Sequence, residues 1–161
     1  MKTLWRLLGQ SAYWLSLPAL WLYLRRSQRT RVGVVCGNEI LVVRGWLGNG
    51  QWTLPGGGRH SDEPANCGAV RELFEEVGIR ATTDKLVLLR SFTVVEPFRY
   101  SCDLFSIRLV SKPELHLQRF EILEAQWVSL PDVTQLKRSY ELDILVDALA
   151  TNGLVTADLL Q

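Results

Sequence analysis

The sequence has few cysteines and histidines, the residues that build disulfide frameworks and zinc sites, and almost no net charge. It contains two histidines and three scattered cysteines, Cys36, Cys67 and Cys102, none of which forms a CxxC pair. This spacing predicts unreactive thiols in a reducing compartment. The net charge is +1, from 18 basic and 17 acidic side chains. The chain therefore lacks the overall positive field of a nonspecific nucleic-acid binder, and we expect no nucleic-acid partner.

A long hydrophobic run lies near the N-terminus. Residues 7–24 are all uncharged, and Arg25 and three further arginines follow. This length just reaches the threshold for a membrane-spanning helix, but a narrow polar stripe between Lys2 and Ser16 makes the pattern amphipathic. Three interpretations stay open: a helix in the membrane interface, a single span with the remaining chain on the Arg-rich cytoplasmic side, and a helix packed on its own domain or on a partner subunit. We therefore expect a cytoplasmic protein, with membrane contact through residues 4–24 and a homodimer as alternatives.

The remaining chain has the pattern of a single α/β domain. Its 161 residues with 47% apolar content are enough for one core but too few for two ordinary domains. We divide the chain into a hydrophobic helix with an Arg-rich junction at 1–30 and a domain at 31–161. Runs rich in β-branched, aromatic and leucine residues, separated by turn residues, predict two hairpins, and helical spacing predicts three helical segments. The predicted strands are 32–35, 40–43, 52–54, 85–95, 100–110 and 125–128, and the helical segments are 64–77, 130–132 and 139–149.

The helix predicted at 64–77 has the clearest boundaries. Pro64 suits a first helical position, Asp62 suits a cap, and Gly78 suits the left-handed residue that ends a helix. Val70, Leu73 and Val77 form an apolar stripe that would dock the helix on a sheet.

Three glutamates of this helix are brought together by their spacing. Glu72, Glu75 and Glu76 stand at i, i+3 and i+4, so their carboxylates project from one side of about one helical turn. We expect them to face a cleft on a different side from the apolar stripe. Clustered carboxylates repel one another unless a cation lies between them, and oxygen ligands suit Mg²⁺ or Mn²⁺. The alternative is a solvated face with intrahelical ion pairs, such as that of Arg71 with Glu75.

The spacing from Gly57 to Ile79 extends well beyond these glutamates. It reads Gly57, five residues, Glu63, seven residues, Arg71-Glu72-Leu73, one residue, Glu75-Glu76, one residue, Gly78-Ile79. This stretch resembles the Nudix box with every defining position filled, and the preceding residues 52–57, WTLPGG, are similar to the strand and turn that lead into it. The resemblance implies an α/β/α sandwich with a mixed sheet. It also implies an enzyme that hydrolyses a nucleoside diphosphate linked to another group.

The resemblance also implies roles for individual residues of the site. It implies that Glu72, Glu75 and Glu76 bind Mg²⁺, with Mn²⁺ as the alternative, and that the Gly57 carbonyl is a further ligand. Arg71 is expected to orient the glutamates, whereas Glu63 is expected to have a supporting role. The remaining candidates lie outside these positions. Glu121 is a further candidate for metal binding, and the candidates for the general base are Glu96, Glu121 and Glu124. The candidates for substrate binding are Arg44, Arg59, Phe98 and Tyr100, of which the two aromatic residues could stack on a base.

The substrate is left open by the sequence, because no signature after Ile79 identifies a subfamily. A small nucleoside diphosphate derivative is the general expectation, and a lipid-linked diphosphate becomes a candidate if the N-terminal segment contacts membrane. The alternative from another class is a Nudix-fold module that binds a nucleotide without hydrolysing it and regulates a partner.

Overall fold

A computed structural model of the chain describes residues 27–151, except 48, 96–98 and 119, together with residues 8, 9, 11, 12 and 15. The predicted N-terminal helix, its membrane contact and a dimer formed through it thus lie largely outside the described residues and stay predictions. Within the described part, no helix is both long and apolar enough to cross a bilayer.

The centre of the domain is a mixed five-stranded sheet, as predicted. Its strand order is β3-β4-β1-β2-β5, in which β1 and β4 are parallel and the other neighbours are antiparallel. Both predicted hairpins are confirmed. The strands are β1 (Gln28–Cys36), β2 (Glu39–Gly45), β3 (Val87–Val94), β4 (Tyr100–Leu109) and β5 (Ile122–Ser129).

The glycine segment that leads into the box runs beside β1. Near the hairpin turn β1 pairs with β2, through Val35 with Ile40 and Cys36 with Glu39. Earlier in β1 the backbone N–H of Val32 donates to the Pro55 carbonyl at 2.9 Å. The backbone N–H of Thr30 donates to the Gly57 carbonyl, also at 2.9 Å. Residues 55–58 therefore extend the sheet locally, and these hydrogen bonds fix their position along β1.

Helices cover both faces of the sheet, which gives the α/β/α layers. Val32 and Val34 of β1 point into a core cluster with Leu73, whereas Val35 points into a second cluster with Leu145. This separation follows from the alternation of side chains along a strand. The helices are α1 (Ala65–Val77), a 3₁₀ turn (Thr83–Lys85), α2 (Leu130–Val133) and α3 (Tyr140–Thr151).

The start of α1 differs from the prediction, whereas its end agrees. Pro64 is the N-cap residue and no side chain caps the helix, so the predicted Asp62 cap is wrong. Asp62 instead adopts a positive φ of 62° in the preceding turn. Gly78 has φ 78° and donates its N–H to the Phe74 carbonyl at 2.9 Å, which is the left-handed helix end that was expected.

The three cysteines are free thiols, as predicted. Burial raises the pKa of the Cys102 thiol to about 12, despite the opposing charge of Arg31. Cys102 therefore stays protonated and packs as a small apolar residue.

Candidate active site

The side of α1 that faces the protein carries two of the three glutamates. Glu72 and Glu76 are buried together with Leu73 and Val77, whereas the Glu75 side chain is 49% exposed. The three glutamates therefore differ in their surroundings, and their expected common position on a cleft stays a prediction. Glu72 precedes Leu73 and Glu76 precedes Val77, so the glutamates lie about 100° from the leucine and valine, at the edge of the buried face.

Glu72 lies directly against the glycine segment. A Cβ atom added at Gly57 would overlap the Glu72 carboxylate, with its Cδ only 2.7 Å away. The absence of a side chain at Gly57 is what leaves room for the carboxylate beside the backbone. A glycine at the first position of the box therefore has a steric reason in this chain.

Glu76 is held by the neighbouring glycine. The Gly56 N–H donates to Glu76 Oε2 at 2.8 Å. Burial raises the pKa of the Glu76 carboxyl to about 7, although the charge of Arg31 and the Gly56 hydrogen bond oppose the shift. The charge of Glu72 also contributes to the higher pKa. A cation beside these two carboxylates would therefore relieve an unfavourable buried charge.

Arg71 connects the loop and the helix. Its guanidinium donates to Glu72 at 2.7 Å, to Glu75 at 2.9 Å, and to both Glu63 oxygens at 3.0 Å. It also donates to the Gly58 carbonyl at 2.9 Å. The predicted ion pair of Arg71 with Glu75 is thus confirmed, as one contact among several.

These contacts change the ionisation of Glu63 and Arg71. The hydrogen bond from Arg71 is the main reason that the pKa of Glu63 falls to about 2, and the bond to Glu63 is the main reason that the pKa of Arg71 is raised. Both groups therefore stay charged over the physiological range.

The oxygen atoms at this site fit a hard divalent cation, with Glu72 and Glu76 as the side-chain ligands. The Gly57 carbonyl already accepts the Thr30 N–H, which leaves one lone pair for a further contact. No group of three or more acidic, histidine or cysteine side chains placed to hold a metal occurs in the part of the chain that the structure describes. Because the Glu75 side chain is 49% exposed whereas Glu72 and Glu76 are buried, the arrangement favours the latter two with backbone oxygen, and a metal-binding role for Glu75 stays a prediction.

The predicted substrate-binding arginines are engaged in intramolecular contacts. Arg44 forms an ion pair with Glu124 at 2.8 Å, and its guanidinium lies 4.1 Å from the ring centre of Trp52. Arg59 contacts Asp103 at 3.3 Å and also donates to the side chain of Gln28. Their predicted contacts with substrate remain untested.

The other candidates have different environments. The Tyr100 hydroxyl donates to Glu141 at 2.7 Å, so Tyr100 already has a partner inside the protein. Glu121 is exposed, but its charge contributes to the raised pKa of Glu76, so it lies within electrostatic reach of the site. Glu96 and Phe98 lie outside the described residues.

Sequence reasoning missed two charged residues behind the glycine segment. Arg31 donates to the carbonyls of Leu54, at 3.0 Å, and of Gly56, and Glu141 is 5% exposed. Arg31 is the last of the four arginines that follow the hydrophobic run, and it also alternates with the apolar positions of a strand. Glu141 stands three and four residues before Ile144 and Leu145 on the apolar side of α3. A charged residue in a buried register is the signal that would have identified both.

The family model for the NUDIX domain matches residues 26–147, which include the sheet and the whole site. The chain belongs to the Nudix family. Nudix hydrolase 10 of Arabidopsis thaliana is 30% identical over 139 residues, covering 84% of this chain and 50% of that protein. The chain spans about half the length of the first curated Nudix relatives that it matches.

Solved structures confirm the Nudix fold. A MutT NUDIX hydrolase from Burkholderia pseudomallei superposes with a TM-score of 0.69 at 20% identity, covering 78% of this chain and 98% of that one. A bifunctional NMN adenylyltransferase/ADP ribose pyrophosphatase from Francisella tularensis, complexed with AMP and a Mn ion, gives a TM-score of 0.68 at 20% identity. That match covers 89% of this chain and 47% of the other.

Proposed function

We propose that this Nudix protein is a pyrophosphohydrolase that uses Mg²⁺, or alternatively Mn²⁺, to hydrolyse a nucleoside diphosphate linked to another group. The observation that carries the proposal is the placement of Glu72 and Glu76, two buried carboxylates against the glycine segment of a complete box. The Mn ion in the Francisella tularensis structure and the ADP ribose pyrophosphatase in its name support the metal and the substrate class.

In the proposed reaction, water adds to one phosphorus atom and the P–O bond of the P–O–P bridge breaks. Glu72 and Glu76, with the Gly57 carbonyl, would hold the metal, which supplies charge neutralisation and a lower pKa for water. Arg71 orients Glu72 and Glu75 through its hydrogen bonds, and the Gly56 N–H orients Glu76. The general base remains unassigned among the acidic groups near the site.

The test is a screen of diphosphate compounds with the full chain. ADP-ribose, NADH, coenzyme A, dinucleoside polyphosphates and nucleoside triphosphates are each incubated with Mg²⁺ or Mn²⁺, and released phosphate and nucleoside monophosphate are measured. We expect at least one compound to be hydrolysed, and we expect excess EDTA to stop the reaction. Absence of hydrolysis with either metal across the panel would overturn the proposal.

The same screen separates the enzyme from a non-catalytic Nudix-fold module. Calorimetry with ADP-ribose, run in parallel, measures binding independently of turnover. Binding without hydrolysis of any compound would favour the regulatory module.

A further inference from the structure

Behind the catalytic glycine segment lies a set of charged and polar groups that none of the proposed chemical steps uses. It consists of Arg31 on β1, Tyr100 on β4 and Glu141 on α3, and we call it the rear network. Tyr100 donates to Glu141 at 2.7 Å, and the guanidinium of Arg31 donates to carbonyls of the glycine segment. The Arg31 bonds and the Tyr100–Glu141 bond are separate contacts, and the opposite charges of Arg31 and Glu141 couple them electrostatically.

The charges of the rear network support one another. Burial alone would lower the pKa of Arg31, but the charges of Glu141 and Glu76 outweigh it and the pKa is raised. Burial likewise acts to raise the pKa of Glu141, but Arg31 and the Tyr100 hydroxyl lower it overall. Arg31 and Glu141 thus both remain charged, and removing Arg31 would leave the buried Glu141 carboxylate without the charge that compensates for it.

Arg31 reaches Glu76 through a single residue, Gly56. The guanidinium of Arg31 donates to the Gly56 carbonyl on one side, and on the other side the Gly56 N–H donates to Glu76 Oε2. Gly56 has a φ of 133°, and a Cβ at this position would overlap the Thr30 carbonyl. The orientation of this residue is therefore specific, and Arg31 is the charged side chain that holds its carbonyl.

We infer that Arg31 is a positioning residue that fixes Gly56 so that its N–H holds the Glu76 carboxylate in place. The inference rests on the proposed function for its effect on turnover. The predicted effect on the Gly56 hydrogen bond does not depend on that function, because this bond forms without substrate or metal.

The first test measures amide hydrogen exchange in the metal-free full chain. In Arg31→Met, we expect the Gly56 amide to exchange about tenfold faster or more, as is typical when one hydrogen bond is lost. The Val43 amide, which donates to the Thr53 carbonyl at 2.9 Å, should be unchanged. Arg31→Lys, which keeps the charge and a donor, should lie between wild type and Arg31→Met, and it provides the test if the methionine variant fails to fold.

The matched control is Arg138→Met. Arg138 also donates to two backbone carbonyls, of Val133 and Thr134, and pairs with Asp143. If Arg138→Met accelerates Gly56 exchange as much as Arg31→Met does, or if Arg31→Met leaves it unchanged, the inference is wrong.

The second test uses the best substrate from the diphosphate screen. Arg31→Met should lower kcat by about 10- to 100-fold, the typical effect of a displaced catalytic group, and leave KM within about twofold. Glu141→Gln should lower kcat in the same direction, and the double variant should lose less than the product of the single effects. A raised KM with unchanged kcat would mean that Arg31 binds substrate, which contradicts the inference. If the wild type hydrolyses nothing, the proposed function fails, and the exchange experiment still decides the role of Arg31.

Discussion

Glu72, Glu75 and Glu76 lie within one turn of α1, but their surroundings differ. Glu72 and Glu76 are buried beside glycines, whereas Glu75 is largely in solvent and contacts Arg71. A buried carboxylate is unfavourable unless a positive charge or hydrogen-bond donors compensate for it. The i, i+3, i+4 spacing predicted that the three groups are close. It could not predict which of them face the protein, because that depends on how the glycine segment packs against the helix.

Gly57 provides a direct test of this packing. Gly57→Ala would place a Cβ atom against the Glu72 carboxylate, so we expect a loss of hydrolytic activity of about 10²-fold from the displaced group. We also expect the free energy of unfolding to fall by about 1–3 kcal/mol from overpacking. Activity on the best diphosphate substrate and urea unfolding are the two measurements.

The control for this substitution is the adjacent glycine. A Cβ added at Gly58 meets nothing within 4 Å, so Gly58→Ala should keep both activity and stability. Equal losses in the two variants would show that general strain in the loop, and not the position of Glu72, explains the result.

The stability contributed by the single residue Glu63 should depend on pH. Its pKa is lowered from 4.5 to about 2, chiefly by the hydrogen bond from Arg71. The stability that Glu63 contributes is therefore fully present above about pH 4.5 and is lost as the pH falls toward about 2. The difference in unfolding free energy between wild type and Glu63→Gln should shrink over this interval. Glu114→Gln, at an exposed position, should show no such change, and a difference that is constant with pH would contradict the assignment.

At the scale of the elements, the C-terminal end of α1 requires a glycine. Gly78 has φ 78°, and a Cβ added there would lie 2.8 Å from the His116 Cβ. We expect Gly78→Ala to destabilise the protein by about 1–2 kcal/mol from the left-handed conformation, with a further cost from the contact. Gly37→Ala, at φ 56° with nothing within 4 Å, should show the conformational cost alone. Equal unfolding free energies for the two variants would rule out the His116 contact as a source of strain.

The elements themselves were largely predictable from the sequence. Both hairpins and the end of α1 were predicted, because β-branched runs with turn residues between them and a helix-terminating glycine are local signals. The start of α1 was predicted wrongly. Asp62 is a residue type that commonly caps helices, but here it occupies a left-handed turn and Pro64 takes the N-cap position. Residue preferences do not distinguish two such positions when both lie beside the helix start.

At the scale of the whole molecule, the site depends on contacts between distant parts of the chain. Gly56 contacts Glu76 across 20 residues, and Tyr100 contacts Glu141 across 41. The box motif identified the helix of the candidate site because its residues are close in sequence. The parallel pairing of β1 with β4 and the approach of α3 that place Arg31 near Glu141 have no comparable local pattern, so the rear network required the structure.

The most direct test of the account is the Mg²⁺-dependent release of nucleoside monophosphate from the best diphosphate substrate, measured for wild type, Glu76→Gln and the exposed control Glu114→Gln. We predict that Glu76→Gln lowers the rate by at least about 10²-fold because a proposed metal ligand is lost. Its unfolding midpoint should be unchanged or higher, since a buried charge is removed. Glu114→Gln should retain the wild-type rate. A wild-type rate in Glu76→Gln would contradict the claim that this carboxylate serves pyrophosphate hydrolysis.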